Sequence, residues 1–448
     1  MCNGPLPERR VIICGVFSAS SRSKVFNSPL LLILLVVASL SVRAVMAGRF
    51  IALRQQAGTL FYGNEPGHIA AHLAKGEGFA SPYAWTPVAP TAQQPPLYPL
   101  LLAIIFKVFG VLSLRSLQVI VWLNAVAGAA ASLLIYWVGR RYVSAHVGFL
   151  AAWIWALSPA IAATDVFISN YAIATLLVLL WLLVVPELPA SSKAWVLLGL
   201  AAGLAMLLNS MLVILYPASY GWLIRKKRCA VVALTTTFLV MALWMARNYF
   251  ALGHVYPLLR DNFGLELYIG NHAEINDSQP VCAWRLCAGT YSYVNVYDGL
   301  VEMGEVRFFQ KRTRDAIAYI RARPGRFLQR SAKRFAAFWL APYPWFYLPV
   351  TLLAWLEARH TPGPPGIFLV VMFAAYPMAF YVTQIAWVTS YRHPIEPLLL
   401  VFAGAFLRRY ALRLGRLRLR ARAATAAGSE DFAEGRHGLS FAHFGRII

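Results

Sequence analysis

The chain has 448 residues, 59% of them apolar and only 13% charged, against about 45–50% apolar and about 25% charged in soluble domains. With a mean hydropathy of +0.58, a soluble enzyme and a disordered chain are both excluded, which leaves a polytopic helical membrane protein. The net charge of +23 comes from 41 Lys and Arg against 18 Asp and Glu; because the excess flanks apolar runs, it reads as topology and headgroup charge, not as nucleic-acid binding.

A spanning helix takes about 20 apolar residues. The runs predict an all-α polytopic membrane protein of about ten transmembrane helices, with two long outer-face loops bearing surface-lying helices. Residues 1–29 form a cytoplasmic N-terminal tail, basic except for Glu8. Pro29–Ala47 is an uncleaved first span, since no small-x-small cleavage site follows it. Further runs lie at 117–138, 146–163, 168–185, 195–208, 211–224, 229–246, 335–353, 366–388 and 395–407. The pair joined by Asn209-Ser210 reads as a tight hairpin. Arg140-Arg141, Lys193, Arg225-Lys226-Lys227-Arg228, Arg359 and the tail 408–448 all fall on one face under this count. The positive-inside rule makes that face the cytoplasm, holding both termini of a chain in the inner membrane. Pro95–Leu114 is long enough to cross, but counting it would turn those clusters outward; it reads as re-entrant or surface-lying.

The transmembrane domain is thus 30–407, with outer loops at 48–116 and 247–334. The second holds 13 basic and 8 acidic residues, which loops of this length tolerate. Within it, 307–334 carries ten basic residues and one acid, Asp315, interleaved with Phe308, Phe309, Ile317, Ile320, Phe327 and Leu328. Pro324-Gly325 divides it into two helices, read either as a basic amphipathic pair on headgroups or as a solvated charged face. Cys282 and Cys287 are the one cysteine pair in an outer loop, and their spacing predicts a disulfide.

Acids outside the tails are few. In YGNEPGHIAAHLAKGEGF, Pro66 suits a first helical position and Gly76 an end, giving a helix of about ten residues capped by Asn64 or Glu65. Glu65 at that N-terminus serves either as a general base towards an acceptor or as a cap alone. Glu65, His68 and His72 share one helical face at a spacing that suits a metal, yet nothing completes the set, so a divalent metal stays an open cofactor. Asp165, at the outer end of 146–163, either serves chemistry or marks a helix end.

These residues resemble a family. The acid, the following Ile69-Ala70, the Gly76-x-Gly78-Phe79 turn and PPLYP are similar to the first outer loop of the GT-C integral membrane glycosyltransferases, in particular bacterial members akin to protein O-mannosyltransferases and aminoarabinose transferases. WMARNYFALGHVYPLLRDNFGLELYIGNH (244–272) and YRHPIEPLLLVFAGAFL (391–407) resemble later stretches, so the likeness runs in order over about 30–407. It implies transfer of a sugar, with inversion, from a polyprenyl-phosphate donor to a glycan, lipid or protein acceptor on the periplasmic face. Under it, Glu65 and Asp165 are the catalytic candidates, and Arg247, Asn248, Asn271, Tyr391, Arg392, His393 and Gln94 the substrate-binding ones. Two positions depart: Tyr62 stands where many members carry an Asp, and Gln94 where aminoarabinose transferases carry a Lys, leaving Arg247 and Arg392 for the lipid phosphate. A transporter or a non-catalytic binder of lipid-linked glycan are the alternatives. No repeat relates the halves and the runs 117–138 and 366–388 hold no charge, which favours surface chemistry.

Overall fold

The computed structural model describes residues 28–57, 62–63, 65–256, 259–273, 299–383 and 388–437, with backbone alone at 388, 389 and 419–437. Regular structure among them is helical, apart from a single bridge between Ala80 and Pro90. The first long helix, α1 (Pro29–Gln56), opens on a proline whose missing N–H costs a helix start nothing. In the first loop, α2 (Glu65–Lys75) ends at Gly76, whose φ of +84° is a left-handed value that suits glycine. Then follow α3 (Leu97–Phe109) and α4 (Leu114–Tyr142), the latter capped by Ser113, whose Oγ accepts the Ser116 N–H at 3.2 Å.

The next helices are α5 (Ala145–Leu157), α6 (Pro159–Val166), α7 (Tyr171–Val184), α8 (Ser192–Leu208) and α9 (Lys227–Leu252). After α9 come α10 (Phe263–Gly270), α11 (Glu305–Ala322), α12 (Pro324–Leu340), α13 (Pro344–His360), α14 (Gly363–Ala374) and α15 (Glu396–His437). Where long helices meet, small residues let the backbones approach. A Cβ on Gly139 of α4 would overlap Gly148 of α5, and one on Gly199 of α8 would reach into Ala233 and Thr236 of α9. The core between them is aliphatic and aromatic, with Trp155, Trp195, Tyr136, Phe368 and Phe373 enclosed. The opposite face of α9 exposes Phe238, Leu239 and Leu243, as a lipid-facing helix does.

The expectation of about ten spanning helices is not met. Among the described residues, four helical segments are long and apolar enough to cross: Pro29–Gln56, Leu114–Tyr142, Tyr220–Leu252 and Gly363–Val382. A fifth arises only if Ala145–Leu157 and Pro159–Val166, bent by 66°, count as one. The other apolar runs are broken by their own sequences. Ser158 ends α5 and caps α6, its Oγ accepting from Ile161, and Pro159 enforces the bend. The run 211–224 breaks into short turns around Pro217. The run 335–353 is split between α12 and α13 at Ala341-Pro342-Tyr343. With 14 and 17 residues, α7 and α8 fall short of about 20. The 13-residue α3, about 20 Å long, is also too short to cross a core of about 30 Å.

The loops pack on one another. α2 lies against α3 and α10 against α11, the latter so closely that a Cβ on Gly264 would overlap the Thr313 side chain. α12 reaches the carboxyl end of α10 through Arg334, which donates to Gly270 O and to Tyr381 O at 3.2 Å.

Candidate active site

Glu65 is the first residue of α2. It is half-buried, and desolvation pushes its carboxyl up from 4.5 to about 7. The Glu266 carboxylate adds to that rise and the Arg260 guanidinium opposes it. Sequence reasoning singled out neither of these partners. They are positioned by one short motif: Arg260 Nε donates to Asn262 Oδ1 at 2.5 Å, and Asn262 Nδ2 donates to Glu266 Oε1 at 3.3 Å at the start of α10. Two phenols border the same charges. Tyr171 and Tyr391 meet edge to face at 5.8 Å, and both feel Arg260 and Glu266. Tyr376 donates to the Tyr391 carbonyl at 3.0 Å. Two carboxyls, one arginine and two tyrosines thus lie within range of one another's charge. The signal for Arg260 and Glu266 was present as RDNFGLE, where acid and base stand close together just before a helix.

Arg247 lies elsewhere. Its guanidinium donates to Thr91 O at 2.6 Å, Phe79 O at 2.8 Å and Asn248 Oδ1 at 3.1 Å, and it stacks on Phe79 and Trp244. It therefore clasps the 79–91 loop to α9. Asn248 is buried beside it. Gln94 is half-buried just before α3. Tyr62, where the family resemblance would place an acid, donates to Ser113 O at 2.7 Å and meets Phe106 edge to face. Asn271 donates to Leu267 O at 2.9 Å and Val382 O at 2.8 Å, which fixes the end of α10.

Asp165 belongs to a different, sealed group. With no exposed surface, it receives Arg43 Nε at 2.9 Å and Nη2 at 2.7 Å on one oxygen, and His393 Nε2 at 2.7 Å on the other. His393 Nδ1 lies 3.6 Å from Glu396 Oε2, and Tyr347 donates to Glu396. Arg392, equally buried, covers the Tyr347 ring at 3.7 Å and donates to Phe338 O at 2.6 Å. A Cβ on Gly128 would collide with Asp165 and Arg43, so α4 leaves room for this pair. The structure thus brings Asp165, Arg392 and His393 into one buried network, while Glu65 joins Tyr391, Arg260 and Glu266.

On α2, His72 pairs with Glu77, and burial beside His72 pulls the His68 imidazole down. Among the described residues no group of three or more His, Cys, Asp or Glu side chains gathers as a metal shell, so Glu65, His68 and His72 do not form one. Cys282 and Cys287 lie outside the described residues.

The family model described as dolichyl-phosphate-mannose-protein mannosyltransferase matches residues 93–249. No curated protein matches the chain. Among solved structures, the oligosaccharyltransferase of Archaeoglobus fulgidus, crystallised as a complex with Zn and sulfate, shares the fold with a TM-score of 0.51 at 15% identity. The match covers 88% of this chain and 51% of that one, so the chain spans about half the length of that relative. The matched segment runs from the first loop through α9, and the fold match takes in nearly everything else. The chain is thus a membrane protein similar to dolichyl-phosphate-mannose-protein mannosyltransferases over residues 93–249, with the fold of that archaeal oligosaccharyltransferase.

Proposed function

We propose that the chain transfers a sugar from a polyprenyl-phosphate-linked donor to an acceptor hydroxyl or amine on the outer face of the inner membrane, with inversion. Both termini then lie in the cytoplasm. The observation that carries this reading is the Glu65 carboxyl, held at about 7 beside Arg260 and Glu266. A general base works best with a pKa near the ambient pH, and a carboxyl serving only as a cap has no need of a value that high.

Glu65 takes the proton from the acceptor as its oxygen or nitrogen attacks the anomeric carbon. The bond from that carbon to the lipid phosphate breaks, and the phosphate oxygen leaves with the electron pair. Arg260 meets the growing charge with its guanidinium, whose parallel N–H groups suit a phosphate. Glu266, through Asn262, orients Arg260. Tyr171 and Tyr391 line the sugar's approach. Arg247 and Asn271 hold the loops that carry these groups, and Asp165, Arg392 and His393 hold the helices below.

The test compares the lipids and glycans of cells lacking the protein with those of cells carrying the wild type or Glu65→Gln, by mass spectrometry. A sugar-bearing product should reappear with the wild type only. Equal restoration by the Gln variant would remove Glu65 from the chemistry.

A further inference from the structure

α1 packs on the protein through one stripe, with Leu35, Ser39, Arg43 and Ala47 buried at every fourth position. The stripe stops at Leu35. Between residues 29 and 34 no side chain of α1 is buried. There a groove of about 400 Å³ opens between the 29–37 stretch of α1 and Leu133 and Trp137 of α4. Every lining residue is apolar, and Ile33, Val37 and Trp137 are exposed.

Leu133, Trp137 and Arg140 follow one another along one face of α4 at i, i+4 and i+7. The Arg140 guanidinium lies 5.0 Å from the centre of the Trp137 ring. Arg140 is exposed, and no carboxylate pairs with it among the described residues. Its neighbour Arg141 pairs with Glu187. Arg408, which donates to the Val143 carbonyl at 3.0 Å, adds a second cation without a carboxylate just past the end of α4. The groove therefore leads from apolar walls to positive charge that the protein leaves unneutralised. From residue 29 to residue 37 it runs about 12 Å along α1, which stays within one leaflet of a core about 30 Å thick. That depth suits an acyl chain, whereas a partner's spanning helix would need a seat about twice as long.

We propose that this groove seats one acyl chain of an anionic phospholipid such as phosphatidylglycerol, with its phosphate on Arg140. A guanidinium offers a phosphate parallel N–H groups, and this one stands over a tryptophan, a residue suited to the headgroup level. The lipid packs α1 where the protein does not, from residue 29 to the start of the buried stripe at Leu35. The site lies at the far end of α1 from the Glu65 loop, roughly 40 Å away along the 28-residue helix. In the proposed topology it faces the cytoplasmic leaflet, whose anionic lipids attract basic segments. A polyprenyl phosphate also carries a phosphate, but its chain is far longer than a groove confined to one leaflet. None of this depends on the protein transferring a sugar.

The experiment uses the full-length protein, purified in detergent and washed free of loosely held lipid. It is then incubated with phosphatidylglycerol or phosphatidylcholine at equal concentration. Native mass spectrometry counts the lipid retained, and the unfolding temperature is read alongside. The wild type should keep one phosphatidylglycerol under conditions that remove phosphatidylcholine, and phosphatidylglycerol should raise its unfolding temperature. Arg140→Gln should weaken retention about fivefold. Ile33→Trp, which fills the groove from an exposed position, should abolish both retention and the rise in temperature; Val37→Trp carries the test if that variant fails to fold. Leu239→Trp, on the lipid-facing side of α9, should change neither. Equal retention of the two lipids, or retention unmoved by both Arg140→Gln and the groove-filling variant, would overturn the site and leave the lipid annular only. Displacement of phosphatidylglycerol by an equimolar polyprenyl phosphate would overturn it too, by giving the groove to a lipid of the donor's kind.

Discussion

Glu65→Gln should make the protein more stable in alkali and less active everywhere. The folded state holds the Glu65 carboxyl at about 7 against an ordinary 4.5, so between those values the native protein keeps a proton that the unfolded chain has released. Stability then falls as pH rises through that window, the opposite of the usual salt-bridged carboxylate. A carboxyl held about 2.5 pH units high carries at most about 3.4 kcal/mol. Because Glu65 is only half-buried, water screens part of this and about 1–2 kcal/mol is the expected penalty. Glutamine carries none of it. Unfolding in detergent, followed by intrinsic fluorescence of the 14 tryptophans, should show the two proteins nearly level at pH 5. Above pH 7 the variant should lead by about 1–2 kcal/mol. The same titration should make the wild-type transfer rate climb through pH 7 as the base ionises. A stability gap of the same size at pH 5 and pH 8 would refute the reasoning, because the carboxyl would then titrate alike in the folded and unfolded chain.

Arg260→Lys replaces a two-pronged donor with a point charge; transfer should fall about 10²-fold or more, while tryptic digestion of the folded protein stays as in the wild type. Asp165→Asn leaves Arg43 buried without its counter-charge and should cost about 3–5 kcal/mol, seen as a lower unfolding temperature, with normal turnover per folded molecule. Gly264→Ala would press a methyl group into Thr313; a loss of about 1–3 kcal/mol is expected, relieved when Thr313→Ala is added, and the pair of unfolding temperatures measures it.

How much of this the sequence disclosed depends on the range of the signal. The helix at Glu65 was legible because its start and stop are local: Pro66 near one end, and Gly76 with its positive φ at the other. Pro324 likewise opens α12 where the sequence places a second helix. Span counting failed because hydropathy averages over a window and does not register a kink. Ser158 and Pro159 bend an apolar run by 66° without lowering its hydropathy. Asp165 looked like a carboxylate at a helix end because its partner Arg43 is 122 residues away, on a span whose single mid-helix arginine sequence reasoning passed over. Arg260 and Glu266 were quoted within a resembling stretch, but only folding brings them to Glu65, some two hundred positions earlier.

The Arg43–Asp165–His393 contact also bears on how the protein is made. α1 leaves the ribosome before its partners, with an arginine in its middle that hydrocarbon disfavours. Asp165 follows 122 residues later, and His393 another 228 after that. Until then the α1–α6 pair holds one carboxylate oxygen without its final donor, and the last helix has nothing to lock against. Assembly of this seam in the bilayer therefore follows chain order, and a nascent chain halted before residue 393 presents an unfinished polar seam to quality-control proteases.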